Sequence, residues 1–513
     1  MRTTVRVGWR RFSTALMVGV LVASGCSIGD EEDVTASTTA RMVTIPTTVY
    51  VPPTDDDDRV ETIEDLEGQW AAQRAAVVAD LGLSQYGIDD DNRLNGPGEL
   101  TVDLDACPSA WSETAGLETG TIRVGLTTAQ TGDHGDFGEL AVGMQAYFDY
   151  VNENGGVDGR SIELVVRDDG YDPAATETVV GTMLSEDDVF YITTVGSPGS
   201  LAVYGELNEQ CIPQPFVVSA HPAWADPTDH PWTSGFQLSY STEAVLWGQW
   251  IRKNLADRIP VKVGALVTDN DFGRIYADTF SGWAEVNSGV VSEVVAVTHD
   301  PAATTVESEM AELAAADPDV FVSMTAGEPC VSAIQEAQRT GLTVSALALF
   351  TPSVCRQPAT YMTPAGDAAQ GFLVVGAGVK STLDPQYADE TFIAFTNERL
   401  TEVGLDPAAS LVGIGFAQYG WAHVELLRVA AALPGGLTRT NVLLAMRSLD
   451  LHHPMLLDGV NFATRGVADP FVIEGAEVSS FDVAIGSWLT TGPALDIDGF
   501  SPPCRWSQGV CQR

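Results

Sequence analysis

Apolar positions along this 513-residue chain repeat at two periods, and the switches between them mark out its elements. Ile122–Leu126 is a short apolar run containing β-branched residues, the pattern of a buried strand. A polar loop bearing glycine follows, Thr128–Gly135. Phe137, Leu140, Met144, Tyr147, Phe148 and Val151 then recur at three- and four-residue steps, which predicts an amphipathic helix. Asn154, Gly155 and Gly156 stop it where a left-handed residue is needed. Ile162–Val166 is a second apolar run, ending at Asp168-Asp169. Strand, helix and strand over 121–169 make one βαβ unit, whose strands must be parallel.

The same alternation continues downstream. Val189–Thr193, Phe216–Val218 and Phe236–Leu238 read as strands, the last before a helix at Thr242–Asn254. A second series runs through Val261–Thr268, Val291–Val297, Val320–Met324 and Ala346–Phe350, with helices between, so it too is doubly wound. Long helical patterns at 388–402, 410–432 and 439–448 follow, and Phe471–Ile473 and Val483–Leu489 look strand-like. Upstream, Glu64–Leu81 reads as a helix with Leu66, Trp70, Val77 and Leu81 on one side. Arg74 falls on that side and interrupts the stripe. Residues 82–118 are loop-rich and acidic.

The first 25 residues carry Arg2, Arg6, Arg10 and Arg11 ahead of an apolar stretch, Phe12–Ala23, too short to span a bilayer as a helix. This is an export signal; Arg10-Arg11-Phe12 matches a twin-arginine signal only poorly. Leu21-Val22-Ala23-Ser24-Gly25-Cys26 resembles a bacterial lipobox, which implies a diacylglycerol anchor on the Cys26 thiol. Residues 26–60, rich in Ser, Thr, Pro and acid and including Asp55–Asp58, would be a disordered tether.

Thr131-Gly132, the turn at 152–160 (Asn-Glu-Asn-Gly-Gly-Val-Asp-Gly-Arg) and Asp168-Asp169 followed by Asp172-Pro173 fall in order within the first unit. Together they resemble the opening of type I periplasmic solute-binding proteins, the leucine/isoleucine/valine-binding-like receptors of ATP-driven (ABC) importers. The resemblance runs from about 119 to 490. It implies an α/β chain of two doubly wound, Rossmann-like lobes joined by three hinge crossings, near 238, near 366–372 and around 455–470. The expected domains are a signal peptide (1–25), tether (26–60), extension (61–118), first lobe (119–238 plus 367–455), second lobe (239–366 plus 456–495) and tail (496–513).

Charge narrows the partners. Seventy acidic against 26 basic residues give −44, a surface that repels phosphate backbones and anionic headgroups. No nucleic-acid partner is expected, and membrane contact only through the lipid anchor. Six cysteines besides Cys26 in an exported chain read as disulfides. Of the 15 connectivities that six allow, locality favours Cys504–Cys511 and Cys330–Cys355, leaving Cys107–Cys211 to pin the extension. No pair has C-x-x-C spacing, so no metal site is expected. There is no phosphate-binding G-x-x-x-x-G-K-[ST] and no G-x-G-x-x-G after a strand. Gly25-Cys26-Ser27-Ile28-Gly29 matches G-x-S-x-G, but it straddles the export cleavage point and lacks the strand-to-helix turn a nucleophile elbow needs. The seven histidines show no metal spacing, and the acidic clusters at 89–91 and 168–169 lack a calcium loop's pattern. No cofactor and no catalysis are expected.

Candidate binding residues sit at strand ends, where open α/β sheets take ligands. Gly196-Ser197-Pro198-Gly199-Ser200 offers backbone N–H groups and two hydroxyls at a helix start, where anions are favoured. The resemblance places Ser200 on a ligand carboxylate; alternatively it only caps the helix. It also points to Ser219, Ala220 and His221, with Pro222 where a Thr is usual, and puts Phe137 over the ligand, although Phe137 also suits a core position. In the second lobe the candidates are Asp271 and Phe272, Thr325, Glu328 and Thr351. The acid that amino-acid receptors of this kind carry after the strand ending at Phe350 is missing from Thr351-Pro352-Ser353-Val354. Either Glu328 or Asp271 neutralises an ammonium, or the ligand has none. The expected protein is a monomeric extracytoplasmic lipoprotein of the cell membrane. It would close on a small polar solute (amino acid, amide or urea, or small carboxylate) and pass it to an ABC permease. The rivals are a ligand-sensing receptor and an exported hydrolase.

Overall fold

The computed structural model describes residues 62–497, 504–507 and 510–512. The expected signal peptide and the whole of the tether, Cys26 included, lie outside the described residues. Among the described residues, no helix is long and apolar enough to cross a membrane.

Two parallel sheets carry the fold. In the first, the strands run Ser161–Asp168, Thr121–Thr128, Tyr191–Thr194, Gln214–Val217 and Thr233–Gly235, all parallel. In the second, Val291–His299, Val261–Thr268, Val320–Met324, Ala348–Phe350 and Leu373–Gly376 repeat that order. Gly475–Asp482 and Ser487–Thr490 then extend the second sheet antiparallel. Each sheet is covered on both faces, as the continuous apolar runs require. Val180, Met183, Val203 and Leu207 pack on one side of the first, and Met144, Phe148 and Val151 on the other. Around the second, Trp247, Tyr276 and Phe280 fill one side, and Met310, Leu313 and Ile334 the other.

Two expected crossings move. Leu373–Gly376 is buried and bonded into the second sheet, so the chain returns to the first lobe only after Gly376, not at 366–372. Residues 456–473 stay with the first lobe, because Phe462, Val472 and Ile473 pack into the core around Trp421. The last crossing therefore falls at about 473–475, and the second lobe's closing portion begins at Gly475. The first crossing lies between Gly235 and Tyr240. The second runs antiparallel to the segment around Leu456, through the pair Val379–Leu456. Phe471–Ile473 makes only an isolated bridge, and Val483–Leu489 is broken by a turn before Ser487.

The extension belongs to the first lobe. Its helix, Ile63–Leu83, buries Leu66, Trp70, Val77 and Leu81. Arg74 shares that face because Glu425, fully buried opposite, needs it: Arg74 donates to Glu425 at 2.5 Å. Arg428 also donates to Glu425 at 2.9 Å and to Glu67 at 3.0 Å. Disulfides join Cys107 to Cys211 and Cys330 to Cys355. Cys504 is disulfide-bonded; the side chain of Cys511, its expected partner, lies outside the described residues.

A seam of glycines brings two first-lobe helices into backbone contact. A Cβ on Gly143 would lie 2.0 Å from the carbonyl oxygen of Val412, and one on Gly415 would lie 2.2 Å from that of Leu140. Gly415–Gly420 is a π turn between the helices Ser410–Ile414 and Trp421–Ala432, a local widening often found at functional sites.

Candidate functional site

Between the two sheets lies a cavity of about 170 Å³ walled by both lobes and by the first two crossings. The first lobe contributes the start of the helix Ser197–Glu209. The strand ending at Thr194 turns into it at Gly196, whose φ is +87°. A Cβ there would also sit 2.3 Å from the Tyr171 ring, so only glycine fits. Gly196 and Ser197 face the cavity at the positive end of this helix, although the Gly196 N–H itself donates to the Val218 carbonyl at 3.1 Å. Ser197 Oγ lies 2.8 Å from Ser219 Oγ. The Tyr240 hydroxyl joins these serines, and burial pushes its pKa up to about 12, so it stays protonated.

Aromatic rings make much of the remaining wall. Phe137 and Tyr171 pack together at 5.8 Å from the first lobe. Tyr240 and Phe272 meet edge to face at 5.1 Å. Across the gap, the Tyr361 hydroxyl reaches the Asp136 carboxylate at 3.5 Å, so the lobes touch at the rim. Leu140, Leu411, Ile414 and Tyr419 line the cavity from the helices joined by the glycine seam.

The second-lobe loop after Phe350 is held from behind by Glu243. That carboxylate accepts from Ser353 N at 2.8 Å, Ser353 Oγ at 2.7 Å and the Tyr276 hydroxyl at 2.5 Å. Burial pushes its pKa from 4.5 up to about 7, against the pull of these hydrogen bonds. The folded form thus holds a proton through a window in which the unfolded chain has lost it. Glu243 should make stability fall as pH rises from about 4.5 to 7 and level off above, with a slope of up to about 1.4 kcal/mol per pH unit. Glu243→Gln keeps an acceptor for Ser353 and cannot titrate. The stability difference between wild type and variant, from urea unfolding, should slope across that window and be flat above it; parallel curves would contradict the assignment.

Cations, not acids, stand in the wall. No Asp or Glu side chain lines the cavity among the described residues, whereas Arg356 and Lys380 do. Arg356 is steered by Glu477 at 3.2 Å, and the Arg356 carbonyl accepts from Trp488 Nε1 at 2.6 Å. Lys380 is steered by Glu390 at 2.7 Å. A second hollow of about 290 Å³ opens beyond Arg356 and Lys380, and Asp384 and Glu477 lie on that side. It is lined mainly by the second lobe and the second crossing, so the interlobe cavity is the better candidate.

Of the residues singled out from sequence, Phe137, Ser197 and Phe272 line the cavity. Ser200, one turn further along the helix, is fully buried and its hydroxyl lies 2.6 Å from that of Thr194. Ser219 sits behind Ser197, and Ala220 beside it is buried. His221 is sealed under Trp506, ring centroids 4.4 Å apart, and burial drives its pKa down to about 3, keeping it neutral. Asp271 turns aside to Arg274 at 3.3 Å. Thr325 is buried against the Cys330–Cys355 sulfurs, Thr351 is buried, and Glu328 is exposed at a helix start. None of these eight lines the cavity. Sequence reasoning missed Tyr171, Tyr240, Arg356, Tyr361, Lys380 and the stretch 411–419. Tyr171 alone had a local signal, two residues past a strand's acidic end.

The architecture is similar to that of known solute receptors. It matches a fatty acid ABC transporter substrate-binding protein from Thermomonospora curvata with a TM-score of 0.65 and 21% identity, over 79% of this chain and 99% of that one. A branched chain amino acid ABC transporter protein from Thermus thermophilus with bound valine matches at 0.65 and 18%, over 75% and 98%. A solute binding protein of an ABC transporter from R. palustris, in complex with benzoate, matches at 0.60 and 17%, over 75% and 100%. No curated protein matches the sequence significantly. The profile of the family described as periplasmic binding protein matches residues 121–468, and the chain belongs to that family.

Proposed function

We propose that this chain captures a small solute between its lobes and delivers it to an ABC permease, outside the cytoplasm and anchored through lipid on Cys26. The cavity walled by residues of both lobes carries this reading. A solute that touches Ser197 and Phe137 on one side and Phe272 and Arg356 on the other favours the closed arrangement of the lobes. The permease would read that arrangement. Three structural neighbours named for ABC transporters support the importer assignment.

Thermal-shift screening of purified protein against small metabolites tests it. Ligand binding only to the folded form adds about 2.7 kcal/mol at a hundredfold excess over Kd, a shift of several degrees. Native mass spectrometry should show one solute retained per chain. Turnover of the retained solute would make the chain an enzyme instead. Ser197→Ala should weaken the solute by about 1–2 kcal/mol in calorimetry, since Ser197 lines the cavity. Ser200→Ala should leave affinity within about threefold and lower stability by about 1–2 kcal/mol, because it breaks the buried bond to Thr194. The reverse pattern would return the ligand contact to Ser200.

A further inference from the structure

The wall of the cavity says what charge it accepts. Its ionised side chains, Arg356 and Lys380, are both cations, and the helix start at Gly196-Ser197 adds partial positive charge. The carboxylates nearest those cations do not line the cavity. Glu477 is turned to Arg356 and accepts from Gly378 N at 2.6 Å, and Glu390 holds Lys380. An ammonium held here would lose hydration without meeting a counter-charge in the wall. A carboxylate meets donors and positive potential.

Size gives the second limit. The volume is about 170 Å³, and an apolar cavity of about 150 Å³ accommodates benzene. One ring or a short branched chain fills that volume. Tyr171, Phe272, Leu411, Ile414 and Tyr419 supply the apolar surface such a body needs.

From these two limits we infer that the solute is a compact carboxylic acid with no ammonium group, its apolar body against the aromatic and aliphatic wall. The inference rests on the solute-capture reading and names the class of that same site.

Calorimetry with 4-methylpentanoate, leucine, benzoate and benzamide tests it. The first two share a carbon skeleton and differ by the ammonium; the last two differ by the anionic charge. At least one of the two acids should bind, with its amino or amide counterpart at least about a hundredfold weaker. Lys380→Gln, beside a half-exposed partner, should weaken the acid about tenfold with little change in melting temperature. Arg356→Gln should weaken it further; because that variant leaves Glu477 unpaired, Arg356→Gln/Glu477→Gln serves as its folded control. Leucine binding as tightly as 4-methylpentanoate, or benzamide as tightly as benzoate, overturns the inference. So does retention of a library solute that is not a small acid, which would leave solute capture itself standing. Silence of the folded protein toward the four probes and the whole library overturns both.

Discussion

Replacing Cys107 and Cys211 together by alanine is expected to cost about 4–5 kcal/mol of stability. The two residues are 104 apart in sequence, and closing a loop of about 100 residues restricts the unfolded chain by roughly 4.7 kcal/mol on the chain-entropy account. The native state keeps other fastenings at the same place. Trp111 Nε1 donates to the Cys211 carbonyl at 2.8 Å, and Arg439 donates to the carbonyls of Val189 and Phe190 at 2.9 and 2.8 Å. The loss should therefore show as easier unfolding in urea while the folded form persists. Neither cysteine lines the cavity, so solute affinity should be unchanged. A loss under about 1 kcal/mol would mean that the denatured chain holds this loop closed without the bond.

Trp70→Ala should cost about 3–5 kcal/mol, the usual range for emptying a buried aromatic site. Trp70 is 1% exposed and meets Trp421 and Phe392 edge to face at 5.5 and 5.6 Å. Its removal opens a void one turn from Arg74, whose contact with Glu425 keeps that buried carboxylate paired. Burial already pushes the Glu425 carboxyl up against the pull of Arg428 and Arg74. A single cooperative urea transition at lower midpoint is expected, because the extension helix is part of the first lobe's core. Two separated transitions would show that the extension unfolds independently.

Much of the architecture was legible in the chain's periodicity, because each βα unit is local. The apolar run of Val261–Thr268 and the helix spacing after Phe137 each announce an element without help from elsewhere. The crossings were less legible. Leu373–Gly376 is four residues long, and only its partners at Phe350 and Ser480 show which sheet it joins. The cavity divided the same way. Ser197 and Phe272 fall within four residues of a strand end, and Phe137 closes the loop that follows Thr128, so strand ends point to them. Arg356, Lys380 and Tyr419 arrive from segments whose positions depend on how the lobes are joined. His221 was misplaced for a comparable reason, since the ring that seals it, Trp506, comes from the far end of the chain.

The contact between Gly143, Leu140, Val412 and Gly415 gives the cavity a floor set by main chain, not by side-chain choice. One added methyl at Gly143 would have to push the helix carrying Leu411 and Ile414 toward the opposite wall or out of register. Capacity and chemical preference are thus governed by different positions, and a glycine-to-alanine exchange along this line would resize the chamber while leaving each residue facing the guest chemically intact.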